Sequence, residues 1–163
     1  MEIIKYPNPI LAEKMPVFDF TNPIMDPTQL EKDMIETMFR YGGIGLAANQ
    51  VGISTRVFVM GHPDTPENAM AFFNPEILET TDQIENMEEG CLSFPTVSVK
   101  IKRPSAIKAR WQNFEGSIFE DTFTGDECKC FCHEVDHLEG IVFKDRVSQL
   151  KWALGVKQSK KRK

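Results

Sequence analysis

Residues 133 to 137 read HEVDH, and this pentapeptide constrains the fold more than any other stretch of the chain. Four residues is close to one helical turn, so on a helix His133 and His137 share a face and can both reach one cation, while Glu134 is placed to touch a water bound there. The flanking sequence predicts such a helix. Thr124-Gly125-Asp126-Glu127 reads as a capping box at its start, Cys128, Phe131, Cys132 and Val135 form a core face, and Gly140 closes it. One short helix is therefore expected to serve as both core element and hydrolytic metal site.

Two histidines need a third ligand. Downstream of Glu139 there is no His or Glu, so the ligand must come from upstream. His62, in the loop-like GHPDTPEN, is one candidate, and the carboxylates are many and unspecific. Cys91, in EEGCLSFP, is the most economical choice: a thiolate suits Fe or Zn, and Gly90 beside it lets backbone come close to whatever the metal binds. Two His and one Cys leave a position open for water, the mark of a catalytic rather than a structural site.

The remainder of the chain supports one compact domain. With 163 residues, 41% hydrophobic and 26% charged, it is long enough to bury a core without staples. No apolar run approaches the roughly 18 residues needed to cross a membrane, and MEIIKYPNPIL has neither the apolar region of a signal peptide nor the Arg/Ser-rich character of a transit peptide. A cytoplasmic protein is expected. Three of the four cysteines crowd into CKCFC, which is no spaced disulfide framework and points to buried thiols or metal. A zinc module built on Cys128, Cys130, Cys132 and His133 is disfavoured, because on a helix Cys130 faces away from Cys128 and Cys132.

Asp26-Pro27 predicts a first helix whose Leu30, Met34, Ile35, Met38 and Phe39 share a face, ending at Gly42-Gly43. Short β-like runs follow at 55–60, 69–79, 97–101, 106–112 and 117–123, the last two joined by an NFEG turn. Helix, strands, then helix argue an α+β fold. Between the first helix and the strands, GGIGLAANQVG is rich in Gly and Ala, as suits backbone packed against a ligand or tightly within the core, and Gln50 can donate from its amide. Charge is uneven: residues 144–163 carry eight Lys/Arg against one acid, a net +7 in a chain of net −5, which leaves −12 elsewhere. The end, KQSKKRK, reads first as a solvated, disordered tail, with contact to RNA or another polyanion as the sharper alternative.

Taken together and in this order, GIGLAANQ (43–50), EGCLS (89–93) and HEVDH (133–137) resemble the three signature motifs of peptide deformylases, and YPNPIL is similar to that family's YPDPVL. The resemblance runs from Met1 to about Leu150. It implies an α+β fold of antiparallel strands packed around a central helix bearing HExDH, with residues 1–150 as the catalytic domain and 151–163 as a short basic tail. It further implies a mononuclear metal held by Cys91, His133 and His137, natively Fe(II), with Zn, Ni or Co as substitutes. By the same resemblance Glu134 is the general base, and the Gln50 amide and the Leu92 N–H face the developing oxyanion. Ile44, Gly45 and Gly90 would then bind the extended backbone of an N-formyl-methionyl nascent peptide, with sequence beyond Met mattering little. Asp136 and Glu89 look like acceptors for the outer N–H groups of the ligand histidines. A cytoplasmic monomer is implied, with the ribosome as a possible contact of the tail.

Three positions depart from the family pattern. Cys132 stands where Gln is usual, Asp126 and Glu127 stand where apolar residues are usual, and the C-terminal stretch is short, reminiscent of phage-encoded members. Acids in a first helical turn also satisfy the cap and the dipole. A zincin-like peptidase is the rival enzyme, opposed by the missing downstream ligand.

Overall fold

The computed structural model describes residues 1–161, so Arg162 and Lys163 of the basic end lie outside the described residues. Among the described residues three α-helices and seven strands form an α+β architecture: α1 (Pro27–Arg40), β1 (Gly45–Ala47), β2 (Val57–Met60), β3 (Met70–Thr80), β4 (Ile84–Cys91), β5 (Phe94–Pro104), β6 (Ala106–Gln112), β7 (Ile118–Thr124), α2 (Gly125–Leu138) and α3 (Gln149–Lys161). One sheet runs β1-β2-β3-β6-β7 and the other is the β4-β5 pair, and every pairing is antiparallel.

Side-chain alternation along the large sheet separates two cores. Phe58, Phe72 and Trp111 point to α2, whose Phe131 is fully buried with its ring centroid 4.9 Å from Phe58 and 5.0 Å from Phe123. Val57, Val59, Ala71 and Phe73 face the other way, against Leu30, Met34 and Met38 of α1. The Asp26 side chain caps α1 by accepting from Thr28 N, and Pro27 occupies its first turn as predicted. The NFEG turn is also present: Asn113 N–H donates to Ser117 O, and the Asn113 side chain accepts from the N–H groups of Glu115 and Ser117.

Two elements go beyond what the sequence pattern showed, and two expectations are corrected. The strand run at 97–101 is the middle of a longer β5, whose partner β4 escaped the pattern reading. The short edge strand β1 lies inside the Gly/Ala-rich stretch. Thr124 precedes α2 in extended conformation, but its side chain makes no capping bond. The second correction concerns the C-terminal segment, which is helical through Lys161 rather than a disordered end. Helix α3 packs on β5 through Gly155, where an added Cβ would lie 2.7 Å from Val99 Cγ1, and Trp152 closes a three-ring cluster with Phe94 and Phe143, each 5.3 Å away.

Candidate metal centre

Helix α2 has nine of its residues buried, which explains why the polar ones among them are paired or clustered rather than solvated. His133 and His137 project one turn apart. Cys91, at the end of β4, enters from the other sheet, and its Sγ stands 3.3 Å from His137 Nε2. The two Nε2 atoms are 3.1 Å apart, and the three ligand atoms lie within 4.8 Å of one another. A tetrahedral cation bound at about 2.0–2.1 Å by nitrogen and about 2.3 Å by sulfur holds its ligand atoms roughly 3.3–3.6 Å apart. The spacing and the donor set fit one such cation.

His62 is not part of this cluster: it sits in an exposed loop, 3.5 Å from the Asp64 carboxylate. The cysteines of α2 are all buried and free. Cys128 and Cys132 belong to the core around Phe131, whereas Cys130 faces the opposite side, with its Sγ 3.7 Å from Ile44 O. Burial pushes the Cys132 thiol up to about 12 and Cys130 well above its usual range. They are packing residues, inert as thiolates.

Glu134 is 3% exposed, and its Oε1 has no hydrogen-bond partner among the described residues. Burial pushes its carboxyl up to about 7. The N-terminal end of β1 lies directly against it: a Cβ on Gly45 would stand 2.6 Å from Glu134 Oε2 and 2.6 Å from Cys130 Sγ. Any larger residue at position 45 would have to displace the Glu134 carboxylate and the Cys130 thiol. Further along the same segment Gln50 is held through its Oε1, which accepts from Ala47 N, while its Nε2 points at Ser93 Oγ (3.1 Å) and Cys91 Sγ (3.5 Å). Asn49 donates to His137 O at 2.8 Å, tying this loop to α2.

Behind the ligands lies a buried ionic network. Glu89 Oε1 is 2.9 Å from His133 Nδ1, as expected of an acceptor for that ring. Asp136 behaves differently: it contacts neither ring but accepts from Arg103 (2.6 Å) and Arg146 (2.7 Å). Arg103, 4% exposed, also donates twice to Glu89, at 2.8 and 2.9 Å. Burial alone would raise the Glu89 carboxyl, yet Arg103 and His133 hold it at about 2. Arg103 was not foreseen, although a signal existed: Val99, Ile101 and Arg103 alternate along β5, which puts Arg103 on the buried face where it must find partners.

These groups open onto a cavity of about 640 Å³ between edge strand β1 and the β4-β5 pair. Its walls include Ile44, Gly45, Gly90, Leu92, His133 and Glu134, so all of the substrate-side residues expected from the sequence border one space.

The profile of the polypeptide deformylase family matches residues 1–153. A peptide deformylase of Novosphingobium aromaticivorans is 37% identical, across 98% of this chain and 95% of its own length. One from Thermotoga petrophila is 50% identical over 72% of this chain and 70% of its own length. The crystal structure of peptide deformylase from Thermotoga maritima superposes with a TM-score of 0.83 at 40% identity, covering 90% of this chain and 97% of that one. With the motif order, the cysteine–histidine cluster and the fold in agreement, this chain belongs to the polypeptide deformylase family.

Proposed function

We propose that the Cys91, His133, His137 cluster and the side chains around it carry out the family's reaction, hydrolytic removal of the N-formyl group from the initiator methionine of nascent polypeptides. The observation that carries this reading is the convergence of the three ligand atoms with buried Glu134 at one cavity. A bound divalent cation supplies Lewis acidity toward the formyl oxygen and lowers the pKa of the attacking water. Glu134 takes the proton of that water as it attacks the formyl carbon. The Gln50 amide and the Leu92 N–H meet the charge gathering on the former carbonyl oxygen. Glu134 then returns the proton to the leaving amine, and formate and a free Met N-terminus separate.

Ile44, Gly45 and Gly90 bind the peptide backbone in extended form in this reading, consistent with the free edge of β1 on the cavity. We further infer that the resident metal is Fe(II), replaceable by Zn, Ni or Co. Residues 1–150 act as the catalytic unit of a cytoplasmic monomer. Residues 151–163 form a basic appendage that touches ribosomal RNA through Lys157, Lys160 and Lys161, which are exposed on α3. No helix among the described residues is long and apolar enough to cross a membrane.

The test is release of formate from formyl-Met peptides by the metal-loaded protein, with Glu134→Ala beside it. That variant keeps its metal and loses about 10²-fold or more of turnover, the usual size of a general-base effect. Near wild-type turnover in the variant would refute the assignment, and new internal peptide ends in place of formate would indicate a peptidase.

A further inference from the structure

Gln50 and Ser93 belong to different motifs and are 2% and 1% exposed; Gln50 lines the metal cavity, whereas Ser93 stands behind it. Their contact is one link of a longer chain. Ser93 Oγ lies 3.1 Å from Gln50 Nε2 and 2.7 Å from the main-chain oxygen of Ile4, and at the other end of the amide Gln50 Oε1 accepts from Ala47 N at 2.9 Å. Two further bonds lace the N-terminal segment to the same places: Ile4 N donates to Gln50 O at 2.7 Å, and Tyr6 N to Ser93 O at 3.0 Å. Residues 4–6 thus bridge the segment carrying Gln50 and the one carrying Cys91 and Ser93.

The protons in this chain can run in only one direction. A carbonyl only accepts, so the single Ser93 hydroxyl proton goes to Ile4 O, and toward Gln50 the hydroxyl offers lone pairs alone. The group facing Ser93 must then be the amide NH2. Ala47 gives the same answer from the opposite end, because its N–H only donates and the group facing it must be the amide oxygen. Turning the amide over would set N–H against N–H at Ala47 and oxygen against a spent hydroxyl at Ser93, and burial leaves both faults uncorrected by solvent. With one N–H of Nε2 taken by Ser93, the other is turned toward Cys91 Sγ, 3.5 Å away. That proton is the one free to meet the formyl oxygen.

We infer that Ser93, anchored by the Ile4 carbonyl, is a positioning residue for the reaction: it fixes the Gln50 amide with a donor, rather than its oxygen, toward the substrate. The inference rests on the role given to Gln50 under the deformylase reading above. Ser93 does not border the cavity and acts only through Gln50.

A double-mutant cycle on the metal-loaded protein, assayed with a formyl-Met peptide, tests this. Ser93→Ala lowers kcat about tenfold, the weight of one net hydrogen bond, and leaves KM unchanged because the contact it serves is made in the transition state. In a Gln50→Ala background, itself about 10²-fold slower, the same change alters kcat by less than about twofold. A Ser93 that only supports the fold would cost the same factor in both backgrounds. That result would overturn the inference, as would a raised KM at constant kcat. Hydrogen exchange of the Gln50 side-chain amide in the zinc-loaded protein reads the same bond without turnover, the signals being identified by their loss in Gln50→Ala. Ser93→Ala speeds this exchange about tenfold. An unchanged exchange rate would also overturn the inference. If the unsubstituted protein released no formate, the activity would fall, while exchange at Gln50 would still decide for or against the Ser93 clamp.

Discussion

Glu134 unites two properties that compete in most carboxylates: it is nearly inaccessible, and one of its oxygens has no hydrogen-bond partner among the described residues. Such a group is costly to bury unless a water or ligand completes it. Its neighbour Gly45 sets how closely β1 approaches the carboxylate. Gly45→Ala should therefore displace the Glu134 carboxylate and lower kcat/KM for a formyl-Met peptide by about 10²-fold, the loss expected of a misplacement near 1 Å; steady-state kinetics checks this. Glu89, as acceptor for His133, should set metal affinity: Glu89→Ala weakens it by about 10- to 100-fold, read by competition with a chelator. Arg103→Met leaves Glu89 and Asp136 facing each other's charge in the interior, and urea denaturation should show a loss of about 3–5 kcal/mol. The pH dependence follows from the folded Glu89 value, about 2, which lies below the ordinary 4.5. Its stabilisation is present above the unfolded value and is lost as pH falls from 4.5 toward about 2. Comparing wild type with Glu89→Gln, both chelated, across that window isolates it. The ligands were legible in the sequence because metal chemistry admits few residue types at few spacings. The partners of Arg103 and Asp136 were not, since alternation along β5 marks Arg103 as buried but an ion pair between distant segments leaves no local pattern that names its partner.

Among the elements, those with a strong apolar period were legible: α1 by its stripe, α2 by its core face and histidine spacing, β6 and β7 by alternation around NFEG. Strand β4, IENMEEGC, was not, because neither of its faces is a run of apolar residues and only Glu89 is buried within it. Helix α3 escaped for a different reason. It docks through Gly155 and Ser159, residues that carry no hydrophobic signal, with Trp152 as its one large anchor. Trp152→Ala should accordingly cost about 2–4 kcal/mol in chemical denaturation, somewhat less than truncation of a fully buried aromatic. The metal ligands are untouched by that change, so the metal-loaded variant should retain its kcat at low temperature.

For the molecule as a whole, the strongly negative body and positive C-terminal helix make opposite demands on a polyanionic surface. Deleting residues 157–163 should leave the rate on short peptides unchanged while weakening cosedimentation with ribosomes at low salt, where unscreened Lys and Arg contacts are strongest. Equal cosedimentation of the two proteins at every salt concentration would remove the tail from any such contact.

The position of Cys91 has a consequence for motion. The β4-β5 pair shares no ladder with the larger sheet, and the sulfur at its tip faces nitrogens carried by the central helix. A cation at that junction acts as a further rivet between two units already tied by the Arg103–Asp136 and Glu89–His133 contacts. Chelation should then show itself in amide exchange, with deuterium entering 84–104 faster than before while the amides of α1 keep their protection.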